Sequence, residues 1–119
     1  MGHELKQTHD SESLLKMRYL SDITEEHINI ICQALYDTIP EYDWDKLLQL
    51  RLYKIRERLT ENPSLYQLSS EELDLLSMTL NDTLYVLDDL MKDLNDFDLR
   101  DCRAYREEIE RILGVFQKN

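Results

Sequence analysis

The sequence has little glycine, proline or cysteine, since each occurs only twice in 119 residues. Turns and loops are built largely from glycine and proline, so a chain this poor in both is expected to be mostly helical. The scarcity of glycine also leaves no glycine-rich loop that could cradle a phosphate. The G-x-S-x-G turn that carries the nucleophile of many serine hydrolases is likewise missing. These absences exclude the common signatures of nucleotide-binding and hydrolytic enzymes.

The cysteines and histidines show no metal-binding pattern. Cys32 and Cys102 fall within helical patterns, and we expect reduced thiols in the core, although a disulfide between them is left open. No C-x-x-C or H-x-x-x-H spacing occurs, so a structural zinc site is not expected. The sequence therefore predicts a protein that is not an enzyme and that has no catalytic residues, no metal and no cofactor.

Long apolar runs are also missing, and charge of one sign predominates. No window of about 18 apolar residues exists, and the first residues lack the apolar segment of a signal peptide, so we expect a cytoplasmic protein without a membrane span. The net charge is −11. Phosphate backbones and anionic lipid repel such a chain, and direct binding to nucleic acid or to a membrane is not expected.

The longest regular pattern lies between Ser69 and Phe97. Apolar side chains recur there at alternating spacings of three and four residues, interrupted only by Thr83, which predicts one long helix over about 70–97. The predicted core stripe consists of Leu73, Leu76, Leu80, Leu87, Leu90, Leu94 and Phe97. Ser69, followed three residues later by Glu72, has the spacing of a capping box and marks the start of this helix.

The same spacing predicts three other main helices, at about 25–38, 44–60 and 99–116. Their expected N-caps are Thr24, Asp43 and Asp98. Trp44 is expected to begin the core stripe of the helix at 44–60, and Pro40 is expected to end the helix before it.

These elements predict an all-α fold, a single-domain bundle of four main helices. The domain is expected to cover residues 11–119, preceded by a polar arm at residues 1–10. A short additional helix over about 11–20 is compatible with the pattern. A chain of this length can bury one core without a metal or a disulfide.

A second stripe runs along the predicted central helix, opposite its leucines. Its candidate partner-binding residues, including one neighbouring aspartate, are Leu75, Met78, Asp82, Tyr85, Asp89, Asp93 and Asp96. Neighbouring helices could cover the apolar members of this stripe. Alternatively the stripe is an exposed docking surface, because methionine and tyrosine are common at protein interfaces.

The one basic stripe of the molecule lies on the predicted helix at 44–60. It consists of Arg51, Lys54 and Arg58, which follow one another at intervals of one turn. Salt bridges to the acidic stripe of the next helix are the expected use of these side chains. In a symmetric dimer they could instead meet Asp89 and Asp96 of a second copy.

Three functional hypotheses follow. The leading one is a small acidic helical module that binds a protein partner, such as an adaptor, an inhibitor, or an immunity or antitoxin-like protein. The second is an acidic nucleic-acid mimic of the kind found in phages and mobile elements. Its row of charge would comprise Asp82, Asp89, Asp93, Asp96, Asp98 and Asp101. The third is a self-associating structural domain that forms a homodimer.

Overall fold

The computed structural model describes residues 22–116, and these form a bundle of four α-helices without a strand. The helices are α1 (Glu25–Thr38), α2 (Lys46–Glu61), α3 (Ser70–Met91) and α4 (Asp96–Phe116). Short 3-10 turns at Ile39–Tyr42 and Leu65–Gln67 precede α2 and α3. The predicted all-α, four-helix architecture is confirmed. The predicted arm at 1–10 and the short helix at 11–20 lie outside the described residues.

Two of the predicted helix starts are fixed by capping boxes. The Thr24 hydroxyl accepts the backbone N–H of His27 at 3.3 Å, and His27 Nδ1 accepts the N–H of Thr24 at 3.1 Å. The Ser69 hydroxyl accepts the N–H of Glu72 at 3.1 Å, and the Glu72 carboxylate accepts the N–H of Ser69 at 2.9 Å. Such reciprocal bonds satisfy backbone donors that the helix itself cannot pair.

The core lies where α3 packs against α1 and α4, while α2 packs mainly on α1 and on the turn that precedes it. The predicted leucine stripe is buried as far as Leu87, and α1, α2 and α4 bury isoleucines and leucines against it. Each such side chain stabilises the fold by about 1.5–3 kcal/mol through its removal from water. One polar contact crosses this apolar core, a 2.7 Å hydrogen bond between the hydroxyls of Thr38 and Thr83.

The prediction of one helix over 70–97 is wrong at its C-terminal end. Helix α3 ends at Met91, and α4 begins at Asp96 after a short turn. Asn95 caps α4, because its side-chain oxygen accepts the N–H of Asp98 at 2.9 Å. Asp98, the predicted cap, therefore lies inside the helix. Phe97, expected in the core, is 78% exposed.

The start predicted for the helix at 44–60 is also displaced. Helix α2 begins at Lys46, and its cap is Asp45, whose side chain accepts the N–H of Leu48 at 3.1 Å. The preceding 3-10 turn buries Tyr42 in the core. Trp44 is consequently left outside the core at 73% exposure, and its predicted place in the core stripe is wrong.

Cys32 and Cys102 are both free thiols; Cys102 is buried and Cys32 is half-buried. Burial raises the pKa of each thiol above its ordinary value, so both stay protonated at neutral pH. None of the helices at residues 22–116 combines the length and the apolar content that crossing a membrane requires.

Candidate docking face

The solvent side of α2 carries large apolar side chains together with cations. We call this surface the α2 outer face; it consists of Trp44, Lys46, Leu47, Leu50, Tyr53 and Lys54. Leu47 is 68% exposed, and Leu50 and Tyr53 are about half exposed. The buried side of α2, formed by Leu52, Ile55 and Leu59, lies on the opposite side of the helix. The exposed residues are thus not needed for the core.

The N-terminal end of this face is held in place by Tyr42. The Tyr42 hydroxyl donates a short hydrogen bond to the Asp82 carboxylate of α3. Burial, followed by the effect of Asp82, raises the pKa of Tyr42 well above its usual range, so the phenol remains a donor at neutral pH. The Trp44 ring packs edge-on against the Tyr42 ring, with 6.3 Å between the ring centroids. The position of Trp44 is therefore set by a buried neighbour.

A groove of about 520 Å³ separates α2 from α3 beside this face. Its apolar lining comes from Ile55 of α2 and Leu75 of α3. Its charged lining comes from Arg51, Lys54, Glu57, Arg58 and Glu72. The groove exists because α2 and α3 make few direct contacts, in contrast to the close packing of α3 on α4.

The predicted basic stripe borders this groove. Arg51 pairs with Glu71 at 2.6 Å, and Arg58 pairs with Glu72. Both carboxylates belong to the first turn of α3, so these bridges do reach the next helix but not the aspartates at its far end. Lys54 forms no ion pair with any residue in the range 22–116. It is the member of the stripe whose charge is available to a partner.

The predicted second stripe of α3 is divided between the core and the surface. Leu75 and Met78 are half-buried and pack against the core. Asp82 is occupied by its hydrogen bond from Tyr42. Tyr85, which lies one turn further along α3, is 74% exposed. Neighbouring residues thus cover the first half of this stripe, whereas its second half is exposed, and its role as a docking surface stays a prediction.

The rest of the stripe lies around the turn between α3 and α4. We call this surface the acidic corner; it consists of Tyr85, Asp89, Asp93, Asp96 and Phe97. Asp89 pairs with Lys92 at 3.3 Å. Asp93 and Asp96 are exposed and form no ion pair within the described part of the chain. Phe97 adds apolar area to this acidic surface.

Apart from Lys54, the residues of the α2 outer face were not among the predicted site residues. A signal for it was available, because Leu47 and Leu50 lie three residues apart and off the predicted core stripe. Trp44 gave no such signal, since its spacing to Leu48 matches that of a core residue.

No group of three histidine, cysteine, aspartate or glutamate side chains within residues 22–116 stands close enough to hold a metal ion. Comparison with known protein families, with curated protein sequences and with solved structures finds no match to this chain. Function is therefore inferred from the geometry of the two surfaces.

Proposed function

We propose that this chain is a small acidic helical protein-binding module, and that the α2 outer face is its docking surface. It acts by occupying a protein partner, as an adaptor, an inhibitor, or an immunity or antitoxin-like protein does, and not by catalysis. We place this role in the cytoplasm.

The exposure of Leu47 and Leu50 along one side of a well-packed helix, with the exposed Trp44 just before its start, is the observation that carries the proposal. A leucine left in water forgoes about 1.5–3 kcal/mol that burial would provide, so covering these side chains favours association. Tryptophan and tyrosine are enriched in interfaces, and the neighbouring Lys46 and Lys54 provide a charged rim.

The face is also pre-organised. Leu47, Leu50 and Tyr53 lie on an α-helix whose other side is anchored in the core by Leu52 and Ile55. A partner that binds there does not have to order a loop, and the entropic cost of association is reduced accordingly.

The nucleic-acid mimic is less well supported as an alternative. Its six aspartates are distributed over two helices and the turn between them. Asp82 already accepts a hydrogen bond from Tyr42, and Asp89 is paired with Lys92. A mimic needs a continuous row of free negative charge, which this arrangement supports poorly.

The test compares three tagged forms of the protein in affinity capture from cells of its natural host. These are the wild type, the variant Leu47→Gln/Leu50→Gln, and the control variant Tyr36→Gln/Tyr66→Gln, which removes exposed aromatic rings elsewhere. Captured proteins, including an untagged copy of the chain itself, are quantified by mass spectrometry. Glutamine suits an exposed helical position, so circular dichroism should show three equally folded proteins.

We expect the wild type and the control to retain the same partner, and the Leu47→Gln/Leu50→Gln variant to retain at least about tenfold less, since about 1.4 kcal/mol of lost apolar contact has that effect. Equal capture by all three forms, or the absence of any partner of the wild type, would contradict the proposal.

A further inference from the structure

We propose that the protein bound by the α2 outer face is a second copy of this chain, whose acidic corner packs against that face in a two-fold symmetric dimer. This inference rests on the proposed function, because it names the partner of the same docking surface.

The charges of the helices favour this pairing. Helix α2 has five basic and two acidic residues, and it is the one described helix with a net positive charge. Helix α3 has six acidic residues and no basic residue. The exposed cations Lys46 and Lys54 are therefore complementary to the exposed carboxylates Asp89, Asp93 and Asp96. Complementary potentials of this kind fix the orientation of an interface.

The apolar areas of the two surfaces also correspond. Each surface contains exposed apolar side chains: Trp44, Leu47, Leu50 and Tyr53 on the α2 outer face, and Tyr85 and Phe97 at the acidic corner. Contact between the two surfaces would cover six of the nine large hydrophobic side chains that the described part of the chain exposes. An apolar centre with charges at its rim is the usual composition of a protein interface.

The two surfaces adjoin one another where Tyr42 contacts α3. Trp44 packs on Tyr42, and Tyr42 donates its hydroxyl proton to Asp82. Tyr85 follows Asp82 by one helical turn, and Asp89 follows Tyr85 by another. Because the surfaces adjoin, a two-fold axis passing between them brings each one against its complement on the other copy, and the assembly closes as a dimer.

The test is a charge exchange between copies. One variant, Lys46→Glu/Lys54→Glu, makes the α2 outer face acidic, and the other, Asp89→Lys/Asp93→Lys, makes the corner basic. The new charges agree with the helix dipole, since position 46 lies in the first turn of α2 and receives an acid, while position 89 lies in the last turn of α3 and receives a base. Neither variant alters a buried side chain, so both should fold, which circular dichroism checks.

Sedimentation equilibrium of the purified proteins then gives the association state. We expect the wild type to be a dimer and each variant alone to dissociate at least about tenfold more readily, because like charges face one another in both contacts of its homodimer. An equimolar mixture of the two variants should regain the dimer, since opposite charges meet again in both contacts.

The control variant Arg111→Glu also makes the protein more acidic, but near the C-terminal end of α4, which packs on α1 and α3. It should dimerise like the wild type. A wild type that remains monomeric at every concentration would overturn the inference. So would a dimer that the two variants leave intact, or a mixture that stays monomeric.

These outcomes can be separated from those for the proposed function. A monomeric wild type that still captures another protein through Leu47 and Leu50 overturns the dimer and leaves the docking role standing. Failure of the capture experiment overturns the docking role itself.

Discussion

Helices α2 and α4 both lie at the outside of the bundle, yet their solvent sides differ in composition. The solvent side of α4 beyond Phe97 carries charged and small residues, with Arg100, Arg103 and Glu107 lining it. The solvent side of α2 carries Leu47, Leu50 and Tyr53 among its cations. The side of a helix that meets only water can consist of charged and small residues, as it does in α4 beyond Phe97.

The contacts of the two helices with α3 differ as well. Arg106 of α4 pairs with Asp88 of α3 at 2.8 Å, on a side of the bundle where the two helices pack closely. The Asp88 carboxylate is also the main reason that the pKa of Arg106 is raised. Helix α2 is connected to α3 mainly through Arg51 and Arg58 at the margin of a groove. The comparison indicates that α4 completes the fold, whereas α2 also presents a surface.

The largest expected effects are losses of stability. They test whether the buried sides of α2 and α4 contribute equally to the stability of the fold. Leu52 of α2 and Ile109 of α4 are both fully buried. Leu52→Ala and Ile109→Ala should each lower the free energy of unfolding by about 2–5 kcal/mol, because each leaves a cavity in the core. Urea denaturation followed by circular dichroism measures this. A cost below about 1 kcal/mol for Leu52→Ala alone would mean that α2 is peripheral to the core.

Removing the hydroxyl groups of Tyr42 and Tyr105 should change the stability by an intermediate amount. The Tyr42 hydroxyl, before α2, has Asp82 as its partner, whereas the Tyr105 hydroxyl, in α4, is buried without one in the described residues. Tyr42→Phe should cost about 1.5–3 kcal/mol of stability, since it removes a hydrogen bond to a charged group. Tyr105→Phe should be neutral or stabilising by about 1 kcal/mol, since no bond is lost. Thermal and urea unfolding compare them, and a larger loss for Tyr105→Phe would contradict this assignment.

The smallest expected effect is a loss of stability at alkaline pH. Burial is the main cause that raises the pKa of both Tyr42 and Tyr105 above the ordinary value, with neighbouring acidic groups adding to it. The folded protein therefore keeps protons that the unfolded chain releases near about pH 10. Stability should be unaffected by these groups below about pH 9 and should fall as the pH rises above about 10.

The Tyr42→Phe/Tyr105→Phe variant provides the control for this pH dependence. Its free energy of unfolding should fall less steeply than that of the wild type between about pH 9 and about pH 11. Parallel curves for the two proteins would show that other groups cause the loss.

The sequence was sufficient to predict the helical class and two of the helix starts. Thr24 and Ser69 mark the starts of their helices through local contacts, because a capping side chain forms a hydrogen bond to a backbone group only three residues away. Such signals are independent of the tertiary fold, which explains why they could be read correctly.

The end of α3 could not be predicted by the same reasoning. Leu87, Leu90, Leu94 and Phe97 keep the helical spacing across the turn, and no glycine or proline interrupts them. The spacing of apolar residues depends only on their positions along the chain. It therefore does not show where a turn reverses the direction of the chain. Asn95, three residues before Asp98, was the single local sign of a new helix.

The candidate surfaces depended on tertiary packing to a greater degree. Trp44 and Tyr42 were both reasonable core residues by type, and the 3-10 turn determines that Tyr42 is the buried one. Likewise, the partner of Asp82 comes from a residue 40 positions away. Sequence spacing identified the stripe on α3, but only the fold divides it into a packed half and an exposed half.

The threonine contact between α1 and α3 has a consequence for the accuracy of folding. Leucines and isoleucines attract one another without direction, so two helices that meet through them could slide by a turn at little cost. Thr38 and Thr83 are fully buried, and Thr83 in turn donates to the carbonyl of Thr79 at 2.7 Å.

A slip of one turn toward the C-terminus of α3 would place Thr38 against Leu87 and would break the hydroxyl pair. The loss, about 1 kcal/mol or more, penalises this misaligned packing and leaves the correct one unpenalised. Thr83, the single interruption of the leucine stripe, thus favours one register of α1 against α3 over others that an all-leucine stripe would tolerate.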